Sequence, residues 1–140
     1  MAGTKCHIVI NSAQMIDFSM ESIREEYQAN YLVRDGKHYF SYEKKDEEGN
    51  VINVLIVMSE DAMTMKQSGH INSMMIFKKG EVFHNRYSTP FGDFDMATDT
   101  TDYELKVTDT RVSLRATYLL NISCGEPVKT TISIETTQLY

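Results

Sequence analysis

Short runs of alternating apolar and polar residues recur along most of the chain, and turn residues separate them. The clearest run, residues 112–122, has an apolar side chain at nearly every second position. Because successive side chains of a strand point to opposite faces, this period of two predicts strands with one buried face. Residues 69–96 read as strand, turn, strand, corner, strand, with breaks at Gly80, Pro90 and Gly92. The pattern predicts an antiparallel β-structure.

The number and spacing of these runs predict an all-β fold of about eight to ten strands. A closed antiparallel barrel leaves no exposed sheet edge, and a sandwich is the alternative. Residues 13–22 fit neither period, so at most one short helix, or an irregular crossover, is expected there. No composition shift or repeat divides the chain, and residues 1–140 are interpreted as a single domain.

The charge distribution narrows the classes of partner. Fourteen basic and 20 acidic residues give a net charge of -6, and the basic residues are dispersed. Nucleic acid and anionic membrane surfaces are therefore not expected as partners. The longest apolar stretch is far shorter than a membrane span, and the N-terminal residues lack a signal-peptide core. We expect a cytoplasmic protein.

Metal and disulfide chemistry find little support in the sequence. The two cysteines, Cys6 and Cys124, are interpreted as reduced thiols, which come together only if the first and penultimate strands are neighbours. The four histidines lack the spacing of a zinc motif. The carboxylates of residues 93–104 resemble a calcium loop, but Thr98 stands where such a loop needs glycine. No metal and no other cofactor is expected.

A catalytic site is not indicated either. Ser88, His84 and Asp93 lie near the corner at residues 89–92, but no motif positions a nucleophile there. Serines beside a turn commonly hydrogen-bond the backbone instead. We assign no catalytic residues, and an enzyme of unknown reaction is the third hypothesis.

The alternation does suggest residues that face a barrel interior. It places Glu25 on the inner face together with Tyr27 and Tyr31. A buried carboxylate must be paired, hydrogen-bonded or protonated, so Glu25 is a candidate for orienting a ligand's polar end. The alternatives are an error in the predicted register of this strand or a strand end that opens to solvent. Tyr118 and Met75 complete the candidate ligand-binding set, because tyrosine and methionine suit adaptable, largely apolar pockets.

Several segments resemble the YwiB-like family of small bacterial proteins. They are QSG at 67–69, SMMIF at 73–77 followed by Gly80, TPFG at 89–92 with a later Thr98, and DGKHYFSYE at 35–43. The resemblance implies a calycin-like (lipocalin-like) β-barrel of uncharacterised function and brings no catalytic residues. The chain has no Trp, so the Gly-x-Trp element of lipocalins is missing, and Arg115 and Tyr118 do not match the carboxylate-binding pair of fatty-acid-binding proteins.

Two functional hypotheses follow. The first is a non-enzymatic intracellular barrel that binds a small, largely apolar ligand in its interior. The second is a structural or protein-interaction module that acts as a homodimer, because Val51–Met58 is apolar on both faces and must lie centrally or be covered. Barrels of this size are either packed solid or hold one small ligand, and the sequence leaves both open.

Overall fold

The computed structural model describes residues 4–16, 18–123 and 125–138, and every element that it assigns there is a β-strand. The strands are β1 (Thr4–Ile16), β2 (Ser19–Arg34), β3 (Lys37–Lys45), β4 (Val51–Met58), β5 (Ala62–Gly69), β6 (Ser73–Lys78), β7 (Val82–Thr89), β8 (Gly92–Val107), β9 (Arg111–Ile122) and β10 (Val128–Gln138). None of the described residues belongs to a helix that could cross a membrane.

The ten strands form one antiparallel sheet in the order β6-β5-β4-β3-β2-β1-β10-β9-β8-β7. This sheet curls into a barrel, which confirms the calycin-like fold that the family resemblance implied, although the barrel is nearly closed and not fully closed. Its two edges, β6 and β7, meet without forming a ladder. An isolated bridge between Asn72 and Ser88 joins them at one end, and Thr98 Oγ1 donates to the carbonyl of Ile76 at 2.9 Å.

Local sequence explains where the strands turn. Asp35 and Gly36, between β2 and β3, both have positive φ, at 52° and 74°. A two-residue hairpin turn of this kind matches the twist of the strands and favours Asp-Gly, so the predicted turn is confirmed. At Gly69 φ is 109°, and an added Cβ would lie 2.8 Å from the carbonyl oxygen of Val51. Glycine is therefore required at that close approach of two strands.

One irregularity lies inside β8. The ladder with β9 shifts register between Thr100 and Asp102, so β8 contains a bulge. The bulge changes which residues face inward: Thr98 and Thr100 are buried before it, and Tyr103 packs against the core after it. In the sequence the apolar alternation also changes phase between Thr98 and Tyr103, which predicts two separate strands, whereas the structure has one continuous strand with a bulge.

Residues 13–22, where the sequence allowed a short helix or an irregular crossover, are strand wherever they are described. Strand β1 runs to Ile16, and β2 begins at Ser19. Met15 and Met20 pair across this hairpin and are 47% and 62% exposed. The apolar periodicity is blurred because the hairpin tip has little contact with the core.

The core fills one half of the barrel. We call this half the closed end; its turns are residues 35–36, 59–61, 79–81 and 108–110. Phe40, Met63 and Phe77 are fully buried there, and Tyr103 Oη donates to the carbonyl of Ser59 at 2.6 Å. The opposite, open end carries the β1–β2 hairpin tip and the turn at residues 90–91. Close packing fills the closed end, and the interior space of the barrel lies at the open end.

Strand β4 lies between β3 and β5 and is third from the β6 edge of the sheet. Its inner residues Ile52, Val54, Ile56 and Met58 are all buried. Its outer face is uncovered in the single chain, since Val51 and Leu55 are 39% and 36% exposed.

Candidate functional site

A cavity of about 610 Å³ occupies the open end of the barrel interior. Strand β1 and strands β5 to β9 contribute its walls. The apolar lining consists of Met65, Met75, Phe94, Met96, Leu120 and Ile122. The polar lining consists of Ser12, Gln14, Gln67, Ser73, Tyr87 and Tyr118. None of these side chains carries a formal charge, so the cavity suits an uncharged, largely apolar molecule.

The mouth and the floor of the cavity differ in exposure. Phe94 and Ile122 are 39% and 49% exposed, and they lie at the mouth. Met96 and Tyr118 are buried, and Tyr118 packs on Phe77 with ring centroids 4.6 Å apart. Phe77 belongs to the fully buried core, so this contact joins the cavity floor to the packed closed end.

The polar groups of the lining are largely paired with one another or with the wall. Ser73 Oγ donates to Gln67 Oε1 at 3.2 Å, and the two residues face each other across β5 and β6. Gln14 Nε2 donates to Thr130 Oγ1 at 3.5 Å. Burial raises the pKa of the Tyr118 hydroxyl to about 12, partly offset by a hydrogen bond with Thr130, so this tyrosine stays neutral. These pairs satisfy much of the polar lining, and no side chain of the lining is formally charged.

The cavity brings together two of the five predicted ligand-binding residues. Tyr118 and Met75 line it, on β9 and β6 respectively. Tyr31 does not, because it lies in the packed half, where it is 7% exposed. Its hydroxyl is 2.7 Å from His38 Nδ1, and its ring stacks on Phe40 at 4.8 Å. The geometry gives Tyr31 a place in the core.

Glu25 and Tyr27 face inward as predicted but do not line this cavity. Tyr27 Oη donates to a Glu25 carboxylate oxygen at 2.8 Å, and the Tyr27 ring stacks on Tyr42 at 4.4 Å. Strand β2 pairs with β3 only over its last five residues, Asn30 to Arg34, so this cluster lies where the two strands separate. Burial and the Glu25 carboxylate both raise the pKa of Tyr27. Glu25 thus has a hydrogen-bond partner within the wall.

The other ten lining residues were not in the predicted set: Ser12, Gln14, Met65, Gln67, Ser73, Tyr87, Phe94, Met96, Leu120 and Ile122. Gln67 was detectable from the sequence, because it is in phase with Met63 and Met65 on β5 and therefore faces inward with them. Gln14 was not, because it lies in the segment whose period was ambiguous. The alternation of side chains along a strand shows which residues face inward, but it does not show which of them border empty space. That depends on packing between strands that are distant in sequence.

Ser88, His84 and Asp93, which the sequence places near one corner, do not form a hydrogen-bonded group. Ser88 and Asp93 are opposite each other in the β7–β8 ladder, and Asp93 lies 3.9 Å from Arg86. No hydrogen bond links His84 to either residue in the described part of the chain. Nor do any three His, Cys, Asp or Glu side chains in residues 4–16, 18–123 and 125–138 form a group that could hold a metal ion.

The cysteine prediction is tested only in part. Cys6 is a free thiol on β1 with 1% exposure, and burial raises its pKa to about 11. Cys124 lies outside the described residues.

Comparisons with known proteins agree with this architecture. A family model described as "Domain of unknown function (DUF1934)" matches residues 8–135. The crystal structure of the ywiB protein from Bacillus subtilis superposes with a TM-score of 0.86, at 19% sequence identity, over 98% of this chain and 93% of that one. No curated protein matches the sequence. At this identity the structural likeness establishes the fold alone.

Proposed function

The chain belongs to the DUF1934 family of domains of unknown function, and we propose that it is a non-enzymatic barrel that binds a small, uncharged, largely apolar molecule. The single observation that carries the proposal is the interior cavity of about 610 Å³ with no formally charged lining side chain. We further propose a cytoplasmic location in a bacterium, which the low cysteine content and the free Cys6 thiol support.

The dimensions of the cavity support a ligand of small-molecule size. Ligand pockets typically enclose about 300–1,000 Å³ and combine apolar walls with a few polar groups. Three of the apolar lining residues are methionines: Met65, Met75 and Met96. Methionine is flexible and polarisable, so such a wall adapts to ligands of different shape.

The absence of charge in the lining argues against an ionised ligand. A carboxylate moved from water into an apolar site requires a partner of opposite charge, because its desolvation is strongly unfavourable. No Lys or Arg is among the side chains that line the cavity. A free fatty acid in its ionised form is therefore a poorer ligand than a neutral molecule of similar size.

Two neighbouring leucines of β9 provide a matched test. Leu120 lines the cavity, whereas Leu119 lines a concave surface with His84 and Asp95 on the outside of the barrel. The neutral dye Nile red serves as the probe. We expect Leu120→Trp to weaken dye binding by about tenfold or more, equivalent to about 1.4 kcal/mol, and Leu119→Trp to leave it nearly unchanged.

The protein contains no tryptophan, so each variant adds a single indole reporter. Energy transfer from the indole to the dye reports dye binding in either variant. Equal dye affinities for both variants and the wild type would show that the dye does not occupy the interior. Native mass spectrometry of protein from its own host, compared with the denatured sample, then identifies any ligand that copurifies.

The outer face of β4 supports a second candidate function, a homodimer. Val51 and Leu55 are partly exposed there, and an uncovered apolar surface on a sheet suits a partner. If β4 forms the contact, sedimentation of the wild type should give a dimer, and Leu55→Lys should give a monomer. A wild-type monomer at all accessible concentrations would exclude this candidate without affecting the ligand proposal.

A further inference from the structure

A small crevice separates the two edges of the sheet, beside the main cavity. It measures about 50 Å³ and lies where β6 and β7 fail to pair. Met75 and Met96 line both the crevice and the main cavity, so the two spaces share a wall. Asn85 and Thr98 also line the crevice, which gives it a more polar character than the cavity beside it.

The Asn85 side chain is held in this crevice with an unused donor. Asn85 lies opposite Met96 in the β7–β8 ladder, and opposite residues of antiparallel strands share a face, so Asn85 is on the inner face. Its Nδ2 atom is buried and has no hydrogen-bond partner among the described residues. A buried amide without a partner destabilises the folded state, so such a group in a native structure calls for an explanation.

Thr100 is the other described residue with a buried polar side-chain atom that lacks a partner. It is fully enclosed, with 0% exposure, on the strand that carries the bulge. Asn85 differs because the residue borders both this crevice and the concave surface lined by Leu119 and His84. The crevice is large enough for one small polar group, since a water occupies about 30 Å³ of liquid volume.

We propose that Asn85 Nδ2 donates a hydrogen bond to an uncharged oxygen, a carbonyl or a hydroxyl, of the ligand whose apolar part fills the main cavity. This inference rests on the proposed function. It makes the ligand a neutral amphiphile whose polar head lies in the crevice. A charged head does not fit, because no Lys, Arg, Asp or Glu lines the crevice and the one histidine there, His84, is on an exposed position of β7.

Two probes of equal length, methyl octyl ketone and decane, test the head group. Both displace Nile red if the cavity binds apolar molecules, and decanoate serves as the ionised comparison. We expect the Asn85→Leu variant to bind the ketone about fivefold more weakly than the wild type, because it lacks one hydrogen bond. Decane should bind the variant as well as it binds the wild type. The matched control is Asn11→Leu, at an exposed outward position of β1. This variant should bind both probes with the affinity of the wild type.

The outcomes separate the two proposals. If neither probe displaces the dye, the ligand proposal fails and this inference fails with it. If both bind but Asn85→Leu leaves the ratio of their affinities unchanged, the head-group inference is overturned and the ligand proposal stands. A second measurement does not depend on the variant's folding: infrared spectra of isotope-labelled ketone bound to the wild type. A carbonyl stretch lowered relative to that in hydrocarbon supports the inference, and an unshifted one overturns it.

Discussion

Truncation of the Phe77 ring is the sharpest test of the division of the barrel into a packed half and a hollow half. Phe77 is 0% exposed and lies opposite Met63 in the β5–β6 ladder. Its ring also supports Tyr118, which lines the cavity. Replacement by alanine therefore removes both core packing and the floor of the cavity.

The expected loss of stability follows from the burial of the ring. A buried aromatic side chain removes about 150–250 Å² from water, and at about 25 cal/mol per Å² this area stabilises the fold by about 4–6 kcal/mol. The alanine methyl group retains a small part of that sum. Measured Phe→Ala changes in cores fall at about 3–5 kcal/mol. We expect Phe77→Ala to lower the free energy of unfolding by about 4 kcal/mol.

Phe91 supplies the matched control, since it is 94% exposed in the turn between β7 and β8. Phe91→Ala should change stability by no more than about 0.5 kcal/mol. Urea unfolding, followed by circular dichroism, measures the free energy of unfolding of both variants. A change in stability alone shifts the urea midpoint and leaves the m-value constant. A Phe77→Ala loss below about 1 kcal/mol, or equal losses for the two variants, would refute the packed closed end.

Three further predictions concern His38, Cys6 and two glycines. Burial lowers the pKa of His38 below its usual 6.5, so the unfolded chain binds a proton that the folded chain does not. The free energy of unfolding should thus fall as pH drops below about 6.5, by at most about 1.4 kcal/mol per pH unit. Urea titrations at several pH values should show that His38→Gln lacks this part of the pH dependence. The buried Cys6 thiol should resist iodoacetamide in the native protein and react in urea, as peptide mass mapping will show. Gly69→Ala should destabilise the folded protein by about 2 kcal/mol or more. Gly36→Ala should cost only about 1 kcal/mol, because φ is also positive there but nothing lies close to the added methyl group. Thermal unfolding measures both changes.

The sequence predicts the strands and their inner faces well where one face is buried and the other is exposed to solvent. In β9 the predicted inward set of residues 112–122 is buried from Val112 to Tyr118, because the period of two reflects the burial directly, and only Ile122 at the cavity mouth is exposed, at 49%. The Asp35–Gly36 turn is equally local, since its positive φ angles favour those residue types. These features depend on neighbours along the chain.

The candidate site could be predicted only in part, because a cavity is a property of packing between strands distant in sequence. Tyr31 and Tyr118 both occupy inward positions, yet one fills the core and the other borders the cavity. Asn85 was not predicted at all. Its importance depends on the missing β6–β7 ladder, and nothing in the sequence of either strand indicates that the two fail to pair.

The strand order has a consequence for how the chain folds. Of the nine ladders in the described residues, all but β1–β10 join strands that follow each other in the sequence. Hairpins of this kind form quickly, whereas β1–β10 brings Cys6 opposite Gln138 and must close nearly the whole chain into a loop. A circular permutant that links these two strands and opens the turn between β6 and β7 would convert the barrel into an unbroken meander. In that permutant every ladder is local, and the slow closure step disappears.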